Sequence, residues 1–332
     1  MRRGVRRAVA ALLVAALLVC GAVTVLRAFQ PAIAATPLLV GFAPLTIPVY
    51  AVAAGLLLLG WPLGGLRVRP ALALAAMGGL AVHLMWLLPT YAPEDGYRPD
   101  AAGAADGSAP EQTVTVMTIN VLKGRAEPQA VQRLVSRVRP DVLVLSEVSG
   151  PFAAALADGA VTDLPRVAGD ADDATLILSS LPVAGPAEEL PAGLGWRIPL
   201  EAGGEEVQVL GVHPSAPHLS TTAWWRDHAA LRQATEAASG PSIIAGDLNA
   251  TLDHGPVIDL QEAGFNDAAG TAGLGWAPTW PANGRPVPVP LLALDHVMAR
   301  GPWILTDVGR QDLPRTDHQA VWATWQSDAS RG

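Results

Sequence analysis

SIIAGDLNAT, residues 242–251, sets a short apolar run directly against a polar tip. Ser242–Ala245 has the composition of a buried strand, and Asp247 and Asn249 follow at once. The same arrangement recurs on both sides of it. Asn120 follows TVMTI, Glu147 follows DVLVLS, and His213 follows VQVLGV. Asp295 and His296 follow LLAL, and Asp317 and His318 precede AVWATW. One polar residue at a strand end is ordinary turn chemistry. Six strands that end this way bring carboxylates, amides and imidazoles to one rim. Such a rim binds a hard divalent cation through oxygen and leaves imidazoles for proton transfer.

The remaining elements are read around that pattern. Thr113–Ile119 alternates and is β-branched, as a strand is, and Pro128–Val138 has helical apolar spacing. Asp141–Leu145, Ala174–Leu178, Gly195–Leu200, Val207–Val212, Leu291–Met298 and Ala320–Trp325 read as further strands, and Ala223–Ala237 as a helix. Strands outnumber helices and several are neighbours in sequence. This predicts an α+β arrangement of mixed or paired sheets with helices outside, rather than a parallel doubly wound sheet.

The first 90 residues differ in kind. They carry seven arginines and no Asp, Glu or Lys, so all 30 acids and the other 15 bases of the chain fall in 91–332, a balance of −15. Mean hydropathy is +0.31 over 332 residues of which only 16% are charged. Three apolar runs, Ala8–Leu26, Thr36–Leu59 and Ala71–Pro89, approach the ~20 residues that a helix needs to cross a bilayer. Pro44 and Pro48 in the second are tolerated as a kink. Arg2, Arg3, Arg6 and Arg7 precede the first run, and Arg67 and Arg69 separate the second from the third. The positive-inside rule then makes the N-terminus and that loop cytoplasmic and exports everything after residue 90. If the first run is instead a cleaved signal peptide, the other two still anchor the chain and the exit side is unchanged. His83 reads as a neutral histidine facing a neighbouring helix. Residues 1–91 are therefore expected to be a membrane anchor, 92–112 a flexible Ala/Gly/Pro-rich linker, and 113–332 an exported domain. One cysteine, Cys20, excludes an intramolecular disulfide scaffold and any Cys-based metal site.

The segments TIN (118–120), PDVLVLSEV (140–148), GVHPSAP (211–217), AGDLNAT (245–251), LDHV (294–297) and TDHQAV (316–321) together resemble the endonuclease/exonuclease/phosphatase superfamily, the DNase I-like fold. Their order and spacing match over about residues 113–326. The resemblance implies a four-layer α/β/β/α sandwich and hydrolysis of phosphoesters with Mg²⁺, or with Mn²⁺ or Ca²⁺ in its place. It implies that Asn120 and Glu147 belong to the metal site, which Asp317 joins. It makes Asp247 the carboxylate that orients or deprotonates water, and Asn249 a phosphate-binding amide. Asp295 would fix the tautomer and charge of His318, whose imidazolium contacts the phosphate, and His213 would protonate the leaving oxygen. Departures are small: SEV at 146–148 where many members have Gln before Glu, Thr316 for Ser, and His296 where an aromatic residue is common.

The chemistry asks for these types independently. Attack on a phosphodiester builds negative charge, which a divalent cation and an imidazolium offset. An Asp beside His318 raises its pKa and keeps it cationic. His218, His228 and His254 read as surface or cap residues, Trp224 and Trp225 as packing, and Trp276 and Trp280 as packing or as walls of a substrate pocket. A domain at −15 with a single lysine, Lys123, is a poor general nucleic-acid binder. Expected partners are thus a phosphoester (nucleic acid, nucleotide or phospholipid head group) and the lipid bilayer, with no obligate protein partner evident. The expected activity is that of a membrane-anchored phosphodiesterase, with an extracellular nuclease or a phospholipid- or sphingomyelin-type phosphodiesterase as alternatives. A catalytically silent binding or sensor domain is the alternative of another class.

Overall fold

The computed structural model describes residues 2–61, 67–99, 113–157, 161, 163–170, 175–202 and 204–328. Three N-terminal helical segments are long and apolar enough to cross a membrane: Gly4–Phe29, Ala35–Leu58 and Arg69–Tyr91. The first lies in α1 (Arg2–Phe29). The second is assembled from α2 (Ala35–Leu39), a tighter turn holding Pro44, and α3 (Thr46–Leu58). The third contains α4 (Arg69–Leu87). Their seam is built from Leu13, Cys20, Tyr50, Ala53, Leu57 and Ala76, and the ring of Tyr50 lies over Gly79. Small residues at such a seam let helices approach closely where lipid gives no hydrophobic drive. His83 is buried and shares a 2.9 Å hydrogen bond with Thr24, so it faces a neighbouring helix as expected.

The remainder forms two six-stranded mixed sheets. Its elements run β1 (Thr113–Asn120), α5 (Pro128–Val138), β2 (Val142–Ser146), α6 (Gly150–Ala157), β3 (Arg166–Ala168), β4 (Thr175–Ser179), β5 (Glu188–Leu190), β6 (Gly195–Ala202), β7 (Glu205–Val212), α7 (Thr221–Ala237) and β8 (Ser242–Asp247). They continue with α8 (Gly255–Glu262), β9 (Asn266–Asp267), α9 (Ala268–Thr271), β10 (Asp295–Arg300), β11 (Trp303–Asp312) and β12 (Gln319–Ser327). The sheet orders are β11-β12-β1-β2-β4-β3 and β5-β6-β7-β8-β10-β9. Each sheet has one parallel pair at its centre, β1–β2 and β7–β8, joined by a helical crossover through α5 or α7.

Side-chain alternation decides what each face covers. Val114, Val116, Val142 and Val144 point between the sheets, where they meet Val209, Ile243 and Ala245. Their sequence neighbours Met117, Ile119, Leu143 and Leu145 point outward onto α5 and α6. Leu210, Val212 and Ile244 do the same beneath Trp224 and Leu231 of α7 and Val257 and Leu260 of α8. The layers are therefore helix, sheet, sheet, helix, the sandwich that the sequence predicts. Gly211 leaves room for the facing sheet, because an added Cβ would press on Ile177 and Val144.

Several expectations shift. The strand expected at Leu291–Met298 begins only at Asp295, since Leu291 and Leu292 bond back to Trp280. The strand expected at Ala174–Leu178 spans Thr175–Ser179; Ala174 is outside the described residues. β11, whose outer half carries Asp307, Arg310 and Asp312, lacks the apolar run that would announce it. Of the expected linker, 100–112 lie outside the described residues, whereas 94–98 are docked. Glu94 N–H donates to Thr271 O, and Tyr97 bridges to Leu305.

Candidate active site

The two parallel pairs place the site. Parallel strands joined by a crossover helix end side by side, and ligands gather beyond their carboxyl ends. Asn120 ends β1 beside Ser146 of β2, so Asn120 and Glu147 emerge together. Val212 of β7 stands beside Gly246 of β8, so His213 and Asp247 emerge together. Gly246 has φ +156°, and a Cβ there would overlap the Val212 carbonyl oxygen; only glycine lets Asp247 stand so close to β7. β10 runs antiparallel to β8 with Asp295 opposite Asp247, and β12 begins just after His318. All four pieces meet at one rim.

Contacts there are direct. The Asn120 amide nitrogen donates to Glu147 Oε1 at 3.1 Å and to Asp247 Oδ2 at 2.9 Å, which ties the two sheets together. Its oxygen accepts from Leu122 N–H at 2.9 Å. His213 Nε2 lies 3.7 Å from Asp247 Oδ2 and 3.9 Å from Glu147 Oε1. Asp247 Oδ1 accepts from Asn249 N–H at 2.8 Å, and the Asn249 side chain donates to Pro214 O at 2.9 Å. Glu147 and Asn249 have φ of 56° and 47°. Asn visits the left-handed region easily; a Glu there is held by its surroundings, as occurs at functional sites.

On the other side of Asp247 stands a buried couple. His318 Nδ1–H donates to Asp295 Oδ2 at 2.9 Å, while Nε2 faces Asp247 Oδ2 at 3.6 Å. The Thr279 hydroxyl donates to the same Asp295 oxygen at 2.6 Å. Burial opposes charge on both members, raising the Asp295 pKa and pulling His318 down. For His318 the neighbouring carboxylates outweigh burial, Asp295 most, then Asp247, and carry it to about 10. With acidic oxygens facing both ring nitrogens, we read the couple as an ion pair. Asp317 sits beside it, its Oδ2 accepting from Trp280 Nε1–H at 3.1 Å.

Three carboxylate oxygens of this rim, Glu147 Oε2, Asp295 Oδ1 and Asp317 Oδ1, are buried with no hydrogen-bond partner. Buried acceptors of that kind call for a cation or ordered water. Ligand atoms of Asp247, Asp295 and His318 also lie within 4.8 Å of one another, near enough to hold one ion. A protonated His318 offers no lone pair, so Glu147 with Asp247 is the better oxygen locus. The donor set fits a hard divalent cation.

The eight catalytic and metal candidates named from the sequence all lie at this rim. Sequence reading missed the supports. Thr279 also accepts from the Leu294 and Asp295 N–H groups, and the Thr316 hydroxyl donates to Asn120 O at 2.8 Å. Neither follows a strand pattern. Of the two tryptophans read as packing or pocket wall, Trp280 lies 6.4 Å from the His318 ring, and Trp276 lines a different cavity. His228 and His254 are buried, not surface residues, though His254 does stand at the N-cap of α8; its Nδ1 accepts from Thr251 N–H at 2.8 Å, and burial lowers its pKa to about 4. His296 is buried too, donating to Asp267 at 2.8 Å and to the Ala250 and Ala293 carbonyls. A separate cavity of about 240 Å³ lies at the seam between helices and sandwich, lined by Arg27, Trp86, Asp253 and Trp276 among others.

Fold and rim together define a hydrolase of phosphate esters built on the DNase I-like sandwich. The chain belongs to the Endonuclease/Exonuclease/phosphatase family, whose profile matches residues 117–318. Among solved structures it is similar to Danio rerio TDP2 complexed with single-strand DNA product (16% identity, TM-score 0.56, 64% of this chain and 98% of that one). It is also similar to a humanized D. rerio TDP2 (16%, TM-score 0.54, 64% and 98%). An endonuclease/exonuclease/phosphatase from Beutenbergia cavernae gives 21% identity and a TM-score of 0.50 over 65% and 72% of the chains. At these identities the likeness shows the fold. Among curated proteins none matches.

Proposed function

We propose that this chain is a membrane-anchored, divalent-metal-dependent phosphodiesterase whose domain lies outside the cytoplasm. The single observation that carries it is the meeting of Asn120, Glu147, His213, Asp247 and the Asp295–His318 couple at one rim. Glu147 would hold the cation through its unpartnered Oε2, with the unpartnered Asp317 Oδ1 as a further candidate ligand. Asn120 uses its nitrogen on both carboxylates and its oxygen on Leu122, so it aligns Glu147 and Asp247. Mg²⁺, or Mn²⁺ or Ca²⁺ in its place, would offset charge on the phosphate oxygens. Asp247 takes the proton of the attacking water, His318 donates to the phosphate as a cation, and Asn249 orients it. His213, beside both carboxylates, delivers a proton to the leaving oxygen.

The full chain in detergent should hydrolyse bis(p-nitrophenyl) phosphate with Mg²⁺ or Mn²⁺ and stop when the metal is chelated. Asp247→Asn and His318→Ala should each lower kcat by roughly 10²–10⁴ with the fold intact. Full activity in either variant refutes the roles. Metal binding without turnover of any phosphoester would make the domain a silent binder instead.

A further inference from the structure

The catalytic rim is the end of the sandwich that meets the apolar helices. Arg27, in the last turn of α1, donates to Asp253 at 2.8 Å, four residues beyond Asn249. Gln30 donates to the Asp253 carbonyl, and His254 bonds to the Pro37 carbonyl. Gly275 N–H, in the segment that leads to Asp295, donates to Thr90 O. Chain tracing agrees. From Tyr91 the chain runs along the sandwich past Thr271 and Leu305 and enters β1 at Thr113, opposite Gln326 near the distal end of β12. β1 then runs back to the end of the sandwich where the loops after Asn249 and before Asp295 hold the helices.

Two surface features mark the same end. Among the described residues of the domain, four large apolar side chains are exposed: Val183, Leu219, Leu274 and Val289. Val183 follows β4 at the distal end, whereas the other three lie on rim loops, after His213 and before Asp295. The charges lean the same way. Most domain arginines are engaged, as Arg197 is with Glu188 and Arg232 with Glu236. Of the exposed cations with no side-chain partner among the described residues, Lys123, Arg125, Arg285 and Arg315 lie on the rim loops, and Arg98 and Arg139 lie away from the rim. A strongly acidic domain thus keeps unpaired cations and bare apolar tips on the face beside its apolar helices. Apolar tips that enter the interface and cations that meet anionic head groups are what a membrane-resting surface needs.

We propose that this rim rests on the bilayer and that the substrate is a phosphodiester of a membrane lipid, entering between the Leu219 loop and the Val289 loop. The inference rests on the phosphodiesterase reading above. Water adds across one P–O bond: its oxygen joins phosphorus and its proton passes to Asp247, while the ester oxygen departs with a proton from His213.

The test uses the full chain reconstituted in phosphatidylcholine vesicles with and without phosphatidylglycerol. Phosphorus NMR should show loss of lipid phosphodiester, faster with the anionic lipid. Leu219→Glu/Val289→Glu and Arg285→Glu/Arg315→Glu should each slow it about tenfold, with bis(p-nitrophenyl) phosphate turnover in the same vesicles unchanged. A fluorophore on Val289→Cys, in a Cys20→Ala background, should be quenched by spin-labelled lipid, and one on Val183→Cys should not. Turnover of the soluble ester or of DNA with both lipids untouched overturns the substrate class and leaves the enzyme standing. Turnover of no ester overturns the underlying reading and this inference with it. Equal quenching at 183 and 289 overturns the seating on the membrane.

Discussion

At the level of single residues, the rim works by surrounding one imidazole with carboxylates. His318 carries a pKa raised to about 10 despite its burial, because Asp295 and Asp247 flank its two nitrogens. Its cation is present below that pH and disappears as pH climbs through about 10. The stabilisation it gives the fold is complete below its unfolded value of ~6.5 and fades over the same rise. Asp295→Asn should therefore draw the alkaline loss of activity down toward neutrality and cut kcat by roughly 10²-fold or more. A pH–rate profile checks this, and an alkaline limb that stays in place contradicts it. His296 tells a related story. Both its nitrogens face acceptors, and Asp267 chief among them raises its pKa against burial. His296→Phe supplies the aromatic residue expected from the resemblance but strips Asp267 of its cation. It should cost about 3 kcal/mol at pH 6, as breaking a buried pair does. Because a raised pKa stabilises only while the proton is held, the deficit should shrink as pH rises; chemical denaturation at two pH values measures it.

At the level of elements, the loop after β8 has two duties. It follows directly on Asp247 and carries Asn249, and its next residues, Thr251–His254, fasten the domain to α1 and the segment after it. The Arg27–Asp253 pair is largely withdrawn from solvent, with side-chain exposures of 17% and 19%. Arg27→Ala leaves Asp253 short of its donor. It should lower stability in detergent by about 1–3 kcal/mol, the cost of an unsatisfied buried polar group. The change is read as a fall in Tm, and Arg27→Lys should recover part of it by restoring the charge without the fork. No change in Tm would show the clasp to be ornamental.

At the level of the whole molecule, three apolar helices and an acidic sandwich share one chain, with the site at their junction. If the anchor crosses three times from a cytoplasmic N-terminus, a reporter that needs export should be active when fused after Gly332; activity of a cytoplasmic reporter there would reverse the orientation. Much of this was legible in residue order. Apolar length marks a membrane helix because every backbone polar group must be satisfied within it. β-branched and apolar composition in Thr113–Ile119 and Val207–Val212 marks the strands, and the polar residue that follows each run, Asn120 or His213, marks the rim. What residue order left open depends on distance across the fold. Thr279 meets Asp295 and Thr316 meets Asn120 only because separate loops fold onto one rim, and no local periodicity records it. The burial of His228 and His254 and the grip of Arg27 on Asp253, 226 residues away, belong to the same kind. Local physics fixed which segments form strands, helices and polar tips, since propensity and alternation act over a few residues. Which tips touch, and that the loops beside them grip the apolar helices, was decided by packing two sheets and a bundle into one body.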